Sequence, residues 1–502
     1  MAMFSGFYRR VICILMVMSL VFQPLAMAQV VVDPSESTIY VDESVNGVPI
    51  VGINAPTNGV SQNKFSDYNV GSNGLIINNS TTYGMSTLGG YLMGNTNFGD
   101  AAASTILFDV TGKNISRLEG IQEIFGSRAN FMLSNPNGLY INGLGFINTN
   151  RVRLTTGTPT YVNEELRYDV RTGAITLGGA GLNASNVTSV DLLAHAIDVQ
   201  GQLLALGDAR LVAGTFQVNP LSGDVSVVAQ SSDRIAIDVS GDLEANSIQL
   251  VATDEGAGVN SSGRLISSAG DIVIDANGDV HVANANSAND VSVVAHAVTF
   301  SSGQIDAQKN VNMTANEGIL LDNASLTALN DISFDANDFD ALASDLTANT
   351  IDIDAVDAQF NATTVVGGEV MVDATIMGMD ADTSIQSAGD MGLTGHVTNA
   401  GSVVALGTLA IQGESVENTG VVYATDATIS ANVLHQNNQL LVDDALTLNV
   451  VEVNNPGELK TGGDVTIIGD ALTNNGGVQV GGSVTIEGRS GPMQIQNSGG
   501  VT

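Results

Sequence analysis

From residue 271 onward a short apolar pair recurs at nearly constant spacing, and this repeat limits the possible folds more than any other feature. The pairs are Ile272/Ile274, Val291/Val293, Val311/Met313, Ile332/Phe334, Ile351/Ile353, Val370/Val372, Met391/Leu393, Leu409/Ile411, Ala427/Ile429, Leu446/Leu448, Val465/Ile467 and Val484/Ile486. Successive first members are 19, 20, 21, 19, 19, 21, 18, 18, 19, 19 and 19 residues apart. Within each copy apolar and polar residues alternate, the period of a strand with one buried face. A second alternating element lies between copies, at Ile305–Ala307, Leu326–Ala328 and Leu346–Ala348. Later units share a turn, at Asn418-Thr419-Gly420, Asn474-Asn475-Gly476 and Asn497-Ser498-Gly499. Asn and Gly tolerate the left-handed backbone region, so these strings predict a sharp corner once per coil.

A unit of about 20 residues holding short strands predicts an all-β chain wound as a parallel β-helix, a solenoid. A β-sandwich needs units of about 100 residues, and the leucine-rich-repeat pattern is absent. Twelve coils predict a rod of roughly 60 Å. Val501-Thr502 falls where Val478-Gln479-Val480 falls one unit earlier. A strand edge left open there predicts that the sequence belongs to something longer, or that a partner covers the last coil.

Charge narrows the function. The 502 residues carry 52 acids against 16 bases, a net charge of −36, which excludes broad binding to nucleic acid or to an anionic membrane surface. An apolar content of 44% excludes a wholly disordered acidic chain. Arg9 and Arg10, the apolar run Val11–Phe22 and Ala26-Met27-Ala28 compose a Sec-type export signal over residues 1–28. Cleavage there discards Cys13, the single cysteine, so the exported chain has no disulfide and a net charge of −38. No later apolar run is long enough to span a membrane as a helix.

Residues 29–245 show no clean period. They hold specific strings instead: Val51–Pro56, Gly59–Gly71, Gly74–Ser80, Ile106–Leu118, Asn135-Pro136-Asn137-Gly138-Leu139, Asn142–Thr149, Arg153–Gly157, Val190–Ala194 and Leu211–Gly214. Together, over roughly residues 40–220, they resemble the filamentous haemagglutinin N-terminal domain, the secretion domain of exoproteins exported by two-partner secretion. One hallmark, N-P-N-G-[IL], stands intact at Asn135–Leu139; the other, N-P-N-L, appears as Asn95-Thr96-Asn97-Phe98, with Thr in place of Pro. Tyr140 and Leu144 stand where many members carry cysteines. The resemblance implies a right-handed β-helix. It also implies recognition, in the periplasm and before folding is complete, by an outer-membrane transporter with POTRA domains. Asn95, Asn97, Asn135, Pro136, Asn137 and Gly138 are then either transporter-recognition residues or makers of rigid corners.

Charge divides the chain at the same place. Residues 29–264 carry 22 acids and 11 bases, and residues 265–502 carry 30 acids and 3 bases. Lys113, Arg117, Arg128, Arg151 and Arg153 belong to the basic stretch and are candidates to face an acidic transporter surface, or else form a solvated face of mixed charge.

Enzymatic readings find little support. His195, His281, His296, His396 and His435 are scattered, and no hydrolase, zinc-protease or P-loop string occurs. Asp331, Asp335, Asp338, Asp340, Asp345, Asp352, Asp354 and Asp357 crowd adjacent coils, but the calcium nonapeptide G-G-x-G-x-D is missing. The sequence therefore predicts a non-enzymatic surface adhesin of a Gram-negative bacterium, without cofactor or metal. Residues 29–245 direct export and residues 246–502 form a stalk. Its ligand on a host or neighbouring cell has no readable motif. The alternatives are the stalk of a contact-dependent toxin-delivery protein and a β-helix enzyme acting on polysaccharides.

Overall fold

The computed structural model describes residues 30–228, 230 and 234–502; the predicted export signal, with Cys13, lies outside the described residues. Among the described residues there are strands and turns but no α-helix. The repeat positions are stacked rungs. Ile272 pairs in parallel with Val291, Val291 with Val311, Val311 with Ile332, and so on through Ile351, Val370, Met391, Leu409, Ala427, Leu446 and Val465 to Val484. Every spacing read from the sequence is thus the register of one coil on the next.

The same column continues upstream, through Ile248, Ala209, Val190, Val152, Phe131 and Ile106 to Ser61. It makes nineteen rungs, a β-solenoid about 85 Å long at ~4.8 Å per rung. The period was hidden there because the chain leaves the coil and returns. The step from Ser61 to Ile106 is 45 residues, from Val152 to Val190 is 38, and from Ala209 to Ile248 is 39. The first excursion holds a two-stranded antiparallel hairpin, Gly84–Ser86 with Gly90–Leu92. The other two supply Thr158–Val162 and Glu165–Val170, and Phe216–Val218 and Val225–Val227. Those four strands assemble into one antiparallel sheet outside the solenoid.

The start of the rod is closed. Val30–Val32 pairs antiparallel with Val60–Tyr68, and Tyr40–Glu43 with Pro49–Gly52, so the first coil's free edge is occupied. The interior is one continuous apolar column, from Ile39 to Ile467. Aromatic rings thicken it in two places, Phe65–Phe108–Phe131–Phe146 and Phe334–Phe339–Phe360, with centroids 4.7–6.4 Å apart.

The Asn/Gly corners differ from expectation. None of Asn418, Gly420, Asn474, Gly476, Asn497 and Gly499 has a positive φ. The asparagines instead point inward and stack. Asn399 donates through Nδ2 to Asn418 Oδ1 at 2.8 Å, and Asn418 to Gln436 Oε1 at 2.9 Å. Asn455 donates to Asn474 and Asn474 to Asn497, both at 2.7 Å. The glycines are required by close approach: a Cβ on Gly420 would lie 2.0 Å from the Gly401 carbonyl oxygen, and one on Gly476 1.9 Å from that of Gly457. Stacking at one coil per strand spacing, rather than left-handed backbone, selects these residues.

Candidate functional site

The secretion hallmarks form two copies of one turn. Asn135 ends the strand Ala129–Ser134 and is fully buried. Its Oδ1 accepts the Asn137 backbone N–H at 3.0 Å, and its Nδ2 donates to the Asn114 carbonyl at 2.9 Å and to Ser116 Oγ at 3.0 Å. Asn137 donates to the Gly112 carbonyl, and Gly138, at φ +124°, closes the turn with its N–H on the Asn135 carbonyl. Pro136 is half-buried at the turn's crest.

Asn95 and Asn97 repeat this geometry. Asn95 Oδ1 accepts the Asn97 N–H at 3.0 Å, while Asn95 Nδ2 donates to the carbonyls of Ile53 and Asn78. Asn97 Nδ2 donates to the Thr38 and Ile53 carbonyls, at 2.9 and 3.0 Å. Thr96 therefore leaves the turn intact, because the asparagine side chains make its hydrogen bonds. The two turns share none of these partners. In the folded chain the side-chain amides of Asn95 and Asn135 are held by partners within the chain and closed to solvent.

The five basic candidates separate. Lys113 and Arg117 are exposed, with Arg117 over the Tyr140 ring at 5.1 Å. Arg128 is exposed but donates to the Thr149 carbonyl. Arg151 is half-buried and donates to Ser189 Oγ at 3.0 Å. Arg153 departs from the expectation of a transporter-facing charge, because in the folded chain it is only 3% exposed. It pairs with Asp191 at 2.8 Å and donates to the Pro220 carbonyl. Arg210, in register beyond Asp191, donates to the Gly223 carbonyl. Arginine on the coil thus holds down the turn at 219–224, which belongs to the outer sheet.

Three further residues carry this region and escaped the sequence reading. Tyr168 of the outer sheet is buried against Leu107, Met132 and Leu193, and its hydroxyl donates to Asp109 Oδ1 at 2.7 Å. Burial pushes the Asp109 carboxyl up to about 6, against the pull of Tyr168 and Lys64. Glu123, also buried, accepts Ser86 Oγ and the N–H groups of Thr87 and Leu88 at 2.7, 2.7 and 2.8 Å, fastening the hairpin to the coil. Each clamp joins residues 35 to 59 positions apart, so no local signal marks it.

The remaining candidates do not converge on a reaction centre. No group of three or more His, Cys, Asp or Glu suited to a metal occurs among the described residues. Asp335, Asp354 and Asp373 stack in register along an open groove that also takes in His396, Glu414 and Arg489. Desolvation and neighbouring aspartates raise the carboxyls of Asp340 and Asp352 above the ordinary range. His396 meets Ser415 in the exposed part of that region, and His296 meets Asp279 and Glu317 on the surface. His195 lies instead beside Arg234 and the buried Asp254, which ties the Thr215 N–H to the coil.

The chain is a capped solenoid whose first coils carry a fastened hairpin and a clamped outer sheet, and whose later coils run bare and acidic. A family model described as the TPS secretion domain matches residues 28–282. The chain belongs to the two-partner secretion domain family. It is 32% identical over 523 aligned residues to the 16S rRNA endonuclease CdiA of Enterobacter cloacae subsp. cloacae, covering 93% of this chain and 16% of that protein. It is 30% identical over 450 residues to the tRNA nuclease CdiA of Yersinia mollaretii, covering 88% of this chain and 14% of that protein. The chain thus spans under a fifth of the length of these relatives. The crystal structure of the filamentous hemagglutinin secretion domain shares 27% identity, aligning with 65% of this chain and 99% of that one at a TM-score of 0.47. The chain carries the secretion domain of that family, followed in register by further coils.

Proposed function

We propose that this chain is the export-directing and shaft-forming part of a surface adhesin. Residues 29–245 engage the POTRA domains of the transporter in the periplasm, and residues 246–502 form the stalk. The division follows the last strand outside the solenoid, Val225–Val227, after which the coils run without excursions. The observation that carries the reading is the secretion-domain match over residues 28–282, continued in register by coils up to residue 501. Asn95, Asn97, Asn135, Pro136, Asn137 and Gly138 act in recognition before the coils close, since folding buries the amides of Asn95 and Asn135. Lys113 and Arg117 remain available to an acidic transporter surface after folding. Neither cofactor nor catalysis is assigned to these coils.

A second reading is favoured by the relatives, which are named as nucleases and extend far beyond the aligned part. There the same rod carries a toxic domain toward a neighbouring cell. Expression with and without the transporter tests the common core. Surface delivery that requires the transporter is expected, and delivery independent of it overturns the reading. Sequencing onward from the codon for Thr502 separates adhesin from toxin carrier.

A further inference from the structure

The hairpin Gly84–Ser86/Gly90–Leu92 presents an apolar face that nothing in the chain covers. Gly84 faces Leu92 and Met85 faces Tyr91, so alternation sends Ser86 and Leu92 inward. Tyr83, Met85, Tyr91 and Met93 point outward, 74%, 63%, 73% and 75% exposed. The face is held firmly. Glu123 fixes the turn residues, Leu92 packs with Ile50, Ile76 and Phe125, and Asn95 closes the base through its N–H on the Ser80 carbonyl at 2.7 Å. Aromatic and methionine side chains on a rigid support are the usual composition of a protein contact.

Area and charge select the occupant. Four such side chains offer roughly 500 Å², short of the ~800 Å² per partner of a standard stable interface. Two copies of a chain bearing −36 also repel each other. Residues 79–98 contain no charged side chain, and the adjoining strand Tyr40–Glu43 adds only the exposed acids Asp42 and Glu43. An anionic lipid surface is therefore disfavoured. The fitting partner is a protein engaged transiently, apolar at the centre of this contact and basic only where it meets Asp42 and Glu43. The hairpin also lies within the matched secretion domain.

We infer that the outward face of this hairpin, Tyr83, Met85, Tyr91 and Met93, is a docking surface for the outer-membrane transporter during export. The inference rests on the two-partner reading and adds the contact to it. Once the coils have closed, the turn at Asn95–Asn97, with Asn95 buried, also holds this face in position.

The test uses the full chain co-expressed with its transporter. Tyr83→Ser, Met85→Ser, Tyr91→Ser and Met93→Ser are combined. Leu329→Ser/Leu406→Ser, equally exposed on the shaft, serves as the control. A tenfold or greater loss of surface delivery and of binding to the purified transporter is expected for the fourfold variant and none for the control. Tyr83→Phe/Tyr91→Phe, which preserves the apolar face, exports normally. Wild-type delivery and binding by the fourfold variant overturn the docking surface. So does a change in self-association, measured by sedimentation, or in vesicle binding, with transporter binding unaltered. Loss of delivery in the Phe variant does so too. Failure of the wild-type chain to need the transporter overturns the two-partner reading itself, and is distinguished by appearing before any substitution.

Discussion

Asp109→Asn separates a buried charge from the contact it makes. Asp109 is 8% exposed, lies opposite Lys64 on the neighbouring strand, and receives the Tyr168 hydroxyl from the outer sheet. Folding raises its carboxyl from 3.8 to about 6. A carboxyl raised by folding stabilises the fold fully below its unfolded value and loses that contribution as pH rises through the folded value. The window is therefore about pH 4 to 6, and the change across it, near two pKa steps at 1.36 kcal/mol each, is ~3 kcal/mol. Asparagine is nearly isosteric, keeps an oxygen for Tyr168 and carries no charge. Denaturant unfolding of wild type and variant at pH values from 4 to 8 reads the difference. The two have similar stability near pH 4, and the variant is more stable by up to ~3 kcal/mol at pH 8. A difference independent of pH, or a variant less stable at pH 8, refutes the argument that desolvation of this carboxylate outweighs Lys64.

Other substitutions probe the stacking and the clamps. Asn474→Ala removes one ladder bond on each side and leaves the Nδ2 of Asn455 unpaired in the interior, so unfolding free energy falls by ~2–4 kcal/mol. Gln436→Asn shortens the one odd rung and offers a donor to Asn455 Oδ1, which has no partner now; a gain of ~1 kcal/mol is expected in the same assay. Gly420→Ala drives a Cβ into the Gly401 carbonyl and lowers stability by ~2 kcal/mol or more, seen as a drop in the thermal midpoint. Arg153→Ala removes the direct ion-pair partner of buried Asp191 and leaves only Arg210 in register beside it, costing ~3 kcal/mol, and speeds proteolytic cleavage at the 219–224 turn, detectable by mass spectrometry.

The repeat was legible because a solenoid writes its register into the sequence. Each coil must place an apolar residue over the one below, so Ile272 to Val484 could be aligned by spacing alone. The hallmark strings around Asn135 were legible for a related reason: an Asx turn needs particular residues at fixed offsets. The uneven distribution of charge also followed from the sequence.

Tertiary structure decided what depends on distant partners. The first seven rungs share the column, but excursions that double a coil's length mask their period along the chain. Arg153 looked like surface charge because burial depends on the turn at Pro220, 67 residues away. The stalk asparagines looked like left-handed corners, since one sequence offers no view of the coil above or below. Local spacing records contacts along the chain. Which side chains are shielded, and which, like Tyr83 and Tyr91, stay uncovered, is set only when separate segments meet.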